Sequence, residues 1–256
     1  MIDQLWLIPL GFVAGILGSM IGLGGGIIVV PVLTFFGFPP TLAASNSLFA
    51  ALSNAAASTL SYSRQKRVDF SLGLKLGLLS IPGTILGAYV SSDVTPEIFK
   101  ILFGLVLISS AIYIFLRKKI ETKQKVMTNQ IMIFVIGASF FAGIISSFFG
   151  IGGGIIFVPL MVVGIGMTMK KAAPTSQFIL LFASLSGVIV HSMLGHPDFL
   201  QSGLLASGSF VGGLVGARLS LDIRERYLQI LVSVIIIAGA TKLFFDSITN
   251  GIFAGG

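Results

Sequence analysis

Eight apolar segments, nearly free of charge and each at least about as long as a bilayer crossing, make up most of this 256-residue chain. They cover residues 5–36, 41–62, 70–91, 97–116, 131–168, 173–194, 200–219 and 226–246. Charged residues are only 10% of the chain, against about 25% in soluble domains. So few charges cannot cover a water-facing surface. We therefore predict an all-α polytopic membrane protein, with the lipid bilayer as its surroundings.

The net charge of +7 comes from short basic runs that lie between the apolar segments. Basic residues in such places are typical of topology signals and lipid-headgroup contacts. They form no basic face on a folded domain, so we expect no nucleic-acid partner. The chain has no cysteine, which excludes disulfides and thiol chemistry.

Two of the apolar segments are interrupted by the same glycine-rich motif. IGLGGGIIVVPVL at 21–33 returns as FGIGGGIIFVPLM at 149–161. Farther along, Ser47 and Phe49 match Ser176 and Phe178, and the motif GxxxGA at 83–88 matches 212–217. These ordered matches indicate an internal duplication. We predict a first membrane repeat at 1–116, a cytoplasmic linker at 117–130 and a second membrane repeat at 131–256.

Basic residues mark the cytoplasmic side of a membrane protein. They place loop 63–69, linker 117–130, Lys170–Lys171 and the run that begins at Arg218 inside, whereas 91–97 and 195–201 carry none and belong outside. Segments 5–36 and 131–168 must then cross an even number of times, as a re-entrant hairpin bent at the glycines or as two short crossings. Matched loops fall on opposite sides, which predicts inverted-topology repeats.

The glycines allow a tight reversal of the chain, and helix-compatible residues follow each run. Each run therefore ends at the N-terminus of a short half-helix, where free N–H groups and the helix dipole favour an anion. We predict that Gly24, Gly25, Gly26, Gly152, Gly153 and Gly154 contribute amides to one substrate site. The alternative is that these glycines only let helices pack closely. A nucleotide loop is excluded, because GLGGGI lacks the GK[ST] ending.

Neutral polar residues follow each glycine run. We predict that they orient a bound anion, in a set consisting of Asn46, Ser47, Asn54, Thr175, Ser176 and Gln177. Hydrogen bonding between helices is the competing role. Every carboxylate lies near a segment end or in a loop, which disfavours a cation as substrate. His191 and His196 are expected to be packed polar residues. No metal site, no cofactor and no catalytic residue is predicted, so the chain is not expected to be an enzyme.

The paired glycine motifs, followed by Ala-Ala-Ser-Asn-Ser and Ala-Ala-Pro-Thr-Ser, resemble those of the TauE/SafE family of sulfite exporter-like permeases. The resemblance implies a multi-pass protein of the cell inner membrane that transports sulfur anions such as sulfite, sulfonate or thiosulfate. It also implies secondary transport, with protons as the coupling ion. We therefore expect a secondary transporter that works by alternating access. An anion channel and a non-transporting membrane subunit on the same scaffold are the alternatives, and a homo-oligomer is a further expectation.

Overall fold

The structure is a computed structural model that describes residues 4–92, 94–116 and 129–221, and this part of the chain is helical without strands. Nine α-helices are present in it. They are α1 (Leu7–Ile21), α2 (Gly26–Phe35), α3 (Pro40–Arg64), α4 (Phe70–Ser92), α5 (Pro96–Leu116), α6 (Asn129–Phe149), α7 (Gly154–Pro159), α8 (Met169–Met193) and α9 (Phe199–Leu219). Within this part, α4, α8 and α9 are long and apolar enough to cross a membrane. The prediction of an all-helical membrane protein is confirmed at this level.

α1 and α2 form a hairpin that reverses at the first glycine run. Trp6, just before α1, lies against Phe36, just after α2, with 4.8 Å between the ring centroids. The beginning of α1 and the end of α2 therefore lie at the same end of the bundle. With 15 and 10 residues, these helices are about 22 and 15 Å long, so each is shorter than the roughly 30 Å hydrocarbon core.

The second glycine run joins α6 to α7 in the same way, but the short helix after it is less regular. α7 has 6 residues and ends at Pro159, after which Leu160–Gly164 forms a π turn closed by Ile165 N–H to the Leu160 carbonyl. Proline has no N–H to continue an α-helical ladder, which explains a change of helix type at this point. The matched Pro31 lies inside α2, which stays α-helical to Phe35.

Side-chain contacts define two ends of the bundle. At one end, Arg67 Nε donates to the Lys170 carbonyl (2.9 Å) and Arg67 Nη1 donates to Ser220 Oγ (2.8 Å), so loop 65–69, the start of α8 and the end of α9 meet. At the other end, the amide of Asp198 donates to Asn46 Oδ1 near the start of α3 (3.0 Å). Loops 65–69 and 194–198 occupy matched sequence positions, yet they lie at opposite ends of α3.

Helix α1 packs along α9, and α4 packs along α6, with backbones in direct contact. A Cβ on Gly212 of α9 would clash with the carbonyl oxygen of Phe12, and one on Gly83 of α4 would clash with that of Phe140. Gly212 and Gly83 are matched positions, as are the two phenylalanines. Small residues are what permits such close approach of helices where lipid offers no hydrophobic driving force.

Other contacts between the halves recur at matched positions. Phe49 meets Phe199 edge to face, and Phe178 meets Phe70 in the same geometry, with ring centroids 6.1 and 5.0 Å apart. The Asn46 contact to the Asp198 amide has its counterpart in Thr175 Oγ1, which accepts from the Asp69 amide at 3.0 Å. Each of these contacts therefore has a counterpart that is formed by the matched residues of the other half.

The structure corrects two boundaries. α6 begins at Asn129, inside the predicted linker 117–130, and α8 begins at Met169, so Lys170 and Lys171 lie in its first turn and not in a loop. Thr168 has an extended backbone and comes directly before that turn, which makes it the N-cap position. The predicted segment 226–246 and most of the linker lie outside the described residues.

The close helix pairs predict opposite effects for two glycine-to-alanine changes. Gly83→Ala places a methyl group against the Phe140 carbonyl and should lower stability by about 1–3 kcal/mol. Gly203→Ala, on the exposed face of α9 with nothing within 4 Å of the new Cβ, should be neutral or stabilising by up to about 1 kcal/mol. Thermal unfolding of the two purified variants in detergent checks this, and equal melting temperatures would contradict the packing.

Candidate functional site

The two glycine runs cross at the middle of the bundle. Gly24 and Gly152 both lie against Leu180 and Ala51, which are close to the midpoints of the 25-residue helices α8 and α3. Both glycines have a left-handed backbone conformation, with φ of 74° and 77°. Residues that have a Cβ rarely adopt this conformation. Residues 21–30 and 150–155 are almost completely buried, so the two tips are enclosed by protein.

Each half-helix begins against the backbone of the opposite hairpin. A Cβ on Gly26, the first residue of α2, would clash with the Gly150 carbonyl oxygen, and one on Gly154, the first residue of α7, would clash with the Gly22 carbonyl oxygen. A helix N-terminus is electropositive and a carbonyl oxygen is electronegative, so both encounters are favourable. The predicted glycines are therefore brought together, and close packing accounts for part of their role.

Free backbone donors remain at both half-helix N-termini. In α2 the first backbone hydrogen bonds are donated by Ile28 and Val29 to the Gly25 carbonyl, and in α7 by Ile156 and Phe157 to the Gly153 carbonyl. The N–H groups that precede them have no helical partner, as at any helix start. Both half-helices therefore begin at mid-bundle with buried amide groups that have no helical partner.

Asn46 and Thr175 hydrogen-bond to helix starts in the other half of the chain. Asn46 Nδ2 donates to Gln201 Oε1 (2.9 Å), and its Oδ1 accepts from Ser202 Oγ and from the Asp198 amide. Thr175 accepts from the Asp69 amide at the start of α4. Both side chains fix the start of a helix in the other half. Their polar atoms have protein partners in this conformation, and their predicted contact with an anion stays a prediction.

Ser176 and Gln177 hold the first hairpin. Ser176 Oγ donates to the Gly22 carbonyl (2.7 Å) and Gln177 Nε2 donates to the Gly18 carbonyl (2.9 Å), while Ser58 Oγ donates to Gln177 Oε1 (3.2 Å). The Ser176 bond gives the Gly22 carbonyl a donor at the helix break, and Gln177 adds a further donor to the Gly18 carbonyl, which also accepts from the Gly22 and Leu23 amides. Ser176 and Gln177 are therefore at the predicted place, engaged with protein in this conformation.

Ser47 differs from its counterpart Ser176. It is completely buried, and its Oγ lies 2.8 Å from where a Cβ on Gly26 would stand, yet that oxygen has no hydrogen-bond partner among the described residues. A buried hydroxyl without a partner costs about 1–3 kcal/mol. A free hydroxyl beside the first turn of α2 is the group that an anion at that N-terminus would use.

Asn54 is a second buried polar side chain without a partner, since neither its Oδ1 nor its Nδ2 makes a hydrogen bond to a described atom. It lies against Gly213 of α9. Toward the basic end, the same two helices line a cleft of about 190 Å³ that includes Ser61, Arg64 and Arg218. Two guanidinium groups thus stand at a cleft between the helices that hold Asn54.

The structure also adds residues that the sequence did not single out. Four further buried hydroxyls have no hydrogen-bond partner within the described part of the chain, those of Thr59, Ser146, Ser147 and Ser184. The two histidines, expected as separate packed residues, are in contact, with 2.8 Å between their Nδ1 atoms. Among the described residues no cluster of side chains could hold a metal ion.

Comparison with known proteins gives a consistent relationship along the chain. The model of the family described as sulfite exporter TauE/SafE matches residues 7–243. Probable membrane transporter protein YunE of Bacillus subtilis is 30% identical over 94% of this chain and 97% of its own length. Probable membrane transporter protein MJ0441 of Methanocaldococcus jannaschii is 28% identical over 93% of each chain. No solved structure shows significant similarity.

The matched serines predict different costs on truncation to alanine. Ser176→Ala leaves the Gly22 carbonyl without its donor and should lower stability by about 1–3 kcal/mol. Ser47→Ala removes a hydroxyl that has no partner, so it should leave stability unchanged or raise it. Thermal unfolding without added ligand measures both variants. A larger loss for Ser47→Ala than for Ser176→Ala would show that the two side chains are wrongly placed.

Proposed function

The chain belongs to the sulfite exporter TauE/SafE family, whose relatives are named probable membrane transporters, and from that premise we propose that it is a secondary transporter of small sulfur oxyanions. The substrate class is sulfite, sulfonate or thiosulfate. The observation that carries the proposal is the free Ser47 hydroxyl beside the N-terminus of α2. Amide N–H groups and a hydroxyl can both donate hydrogen bonds, and the oxygens of an oxyanion accept them.

The binding site consists of the glycine amides of Gly24–Gly26 and Gly152–Gly154 with Ser47. Ser176 and Gln177 hold the first hairpin in place, and Asn46 and Thr175 position the helices around it. Asn54 lies seven residues farther along α3 than Ser47, about 10 Å away, and belongs to the route from the arginine cleft. Neutral donors suit a transporter, because a site must bind its ion and also release it.

The orientation of the two halves supports inverted repeats in a multi-pass protein of the inner membrane. Loops 65–69 and 194–198 are matched in sequence and lie at opposite ends of α3, and the described Arg67, Lys170 and Arg218 lie at or near one end. Basic residues favour the cytoplasmic side. Each glycine hairpin then enters from its own side and turns back, the first within the repeat at 1–116 and the second within the repeat that follows the linker.

The packing suggests which parts move. The first hairpin and α3 pack with α9, while α4 packs with α6 and α8. Each group therefore contains helices from both sequence repeats. Transport proceeds by rocking these two groups across the α3–α8 contact and the hairpin tips, which opens the site to one side at a time. The buried tips of this structure correspond to a closed state between the two openings.

Radiolabelled sulfite uptake into proteoliposomes tests the proposal. Wild-type protein should show saturable uptake. Ser47→Ala and Asn54→Leu should each lower the affinity for sulfite by about ten- to a hundredfold, which is the loss expected for one hydrogen bond to a charged group. Ser207→Ala, an exposed serine of α9, is the control and should behave as wild type. If both Ser47→Ala and Asn54→Leu take up sulfite as wild type does, the proposed binding site is contradicted. An ohmic sulfite current contradicts the transporter in favour of a channel.

A further inference from the structure

The two histidines of the chain form one hydrogen-bonded pair at the end of α8. His191 is completely buried, and its Nε2 lies 3.1 Å from the Ser147 carbonyl oxygen. Its Nδ1 lies 2.8 Å from His196 Nδ1. His196 is partly exposed, and its Nε2 lies 3.3 Å from Ser92 Oγ on α4. The pair therefore connects α4, α8 and the end of α6.

The carbonyl of Ser147 fixes where the protons are. A carbonyl oxygen only accepts, so His191 Nε2 carries a hydrogen and, in the neutral ring, His191 Nδ1 is an acceptor. His196 Nδ1 must then donate to it, which leaves His196 Nε2 as an acceptor for the Ser92 hydroxyl. The chain of hydrogen bonds thus has one direction, from Ser92 toward Ser147.

This order lets the pair take up one proton and no more. The proton binds His196 Nε2, while the Ser92 hydroxyl turns to the Ala88 carbonyl, 3.3 Å away. The charged His196 ring keeps its Nδ1 hydrogen and goes on donating it to His191 Nδ1, so the bond between the rings is kept and the charge stays on the more exposed ring. A second proton would set two N–H groups against each other, which breaks the pair.

The matched position in the first half shows what the pair replaces. Tyr62 is the counterpart of His191, and its hydroxyl donates to the Ser19 carbonyl (2.9 Å), the counterpart of the Ser147 carbonyl. Arg67 is the counterpart of His196 and lies over the Tyr62 ring, 5.1 Å from its centroid. Both halves therefore clasp the end of the first helix of their hairpin. Arginine keeps its charge at all relevant pH values, whereas the histidine pair gains and loses one.

We propose that His191 and His196 form a proton-binding site that controls the second glycine hairpin from the side of loop 194–198. Ser147 is three residues before Gly150, where the hairpin breaks. A proton on His196 makes its Nδ1–H bond to His191 charge-assisted, and such bonds are about twice as strong as neutral ones. The polarised His191 ring then donates more strongly to the Ser147 carbonyl. When a proton is bound, the histidine pair therefore holds the second hairpin in the closed conformation. The effect on transport rests on the proposed function, whereas the proton site does not.

Few other charges act on the pair. Among the described residues, His196 is the one titratable group that acts electrostatically on His191. Asp198, in the same loop, directs its Oδ1 to the amides of Leu200 and Gln201 at the start of α9. The described part of α6 contributes no charged group, α4 contributes Lys75 at its opposite end, and Asp93, next to Ser92, lies outside the described residues. Burial lowers the pKa of His196 below its ordinary value, so the pair is neutral at pH 7 and takes up its proton only under more acidic conditions.

Ring-labelled ¹⁵N-histidine NMR tests the site directly, because every histidine signal belongs to this pair. We expect a scalar coupling between the two Nδ1 nuclei across their hydrogen bond, and uptake of a single proton as the pH falls. Two rings that titrate independently, or the absence of the coupling, overturn the proposal.

The first half of the chain supplies the design of a non-titrating variant. His191→Tyr with His196→Arg installs the Tyr62–Arg67 clasp, which keeps a donor to the Ser147 carbonyl and a permanent charge. Sulfite uptake by wild type should slow about tenfold relative to this variant as the pH facing loop 194–198 is lowered from about 7.5 through the range in which the NMR titration shows proton uptake. The comparison cancels the titration of sulfite itself. His196→Gln, which removes the proton-accepting end alone, replaces the double variant if the latter does not fold.

Each result decides the question. Equal pH dependence in wild type and variant overturns control by the pair. No sulfite uptake by wild type at any pH refutes the proposed function, and the NMR result then stands alone: a coupled pair with one proton supports the site and uncoupled rings overturn it.

Discussion

A polypeptide that reverses inside an apolar bundle must find partners for the backbone groups that the broken helix leaves free, because unpaired amides and carbonyls in hydrocarbon cost several kcal/mol each. In this chain the two broken helices meet. The electropositive N-terminus of α2 lies against the Gly150 carbonyl, and that of α7 lies against the Gly22 carbonyl, which in turn accepts from Ser176. The amide groups of both half-helix N-termini still lack helical partners. The close glycine contacts of α1 with α9 and of α4 with α6 accompany this approach of the hairpins.

Close packing and ligand binding appear as alternatives when the glycines are considered in sequence, but the structure makes them compatible. The glycines must be small because the hairpins touch, and the same contact leaves helix N-termini at the centre. The groups that we propose to bind the anion and the proton are found where the matched contacts of the two halves differ. Ser176 bonds a carbonyl while Ser47 does not, and a histidine pair stands where the other half has tyrosine and arginine. The close packing is the same at matched positions of the two halves, whereas the side chains proposed to bind an anion or a proton make different contacts from their counterparts.

Much of the fold could be predicted because it depends on local pattern. Apolar length gave the helices to within a few residues, and the repeated glycine run predicted where two of them reverse. The partners of polar side chains could not be obtained in this way. Asn46 bonds Gln201 and Asp198, more than 150 residues away, and nothing in the periodicity of either segment indicates that pairing. The histidine pair had a signal, since the internal match places His191 and His196 opposite Tyr62 and Arg67. This signal is missed when each histidine is considered separately and not together with its matched position.

The central claim is that the two hairpins approach each other from opposite sides of the membrane. Arg64→Cys and Met193→Cys place single thiols at matched, exposed positions at the ends of α3 and α8, in a chain that has no other cysteine. A membrane-impermeant thiol reagent applied to right-side-out and to inverted vesicles reads the side of each. Labelling of Cys at position 64 only in inverted vesicles, and at position 193 only in right-side-out vesicles, is the predicted result. Labelling of both positions from the same side would contradict the account.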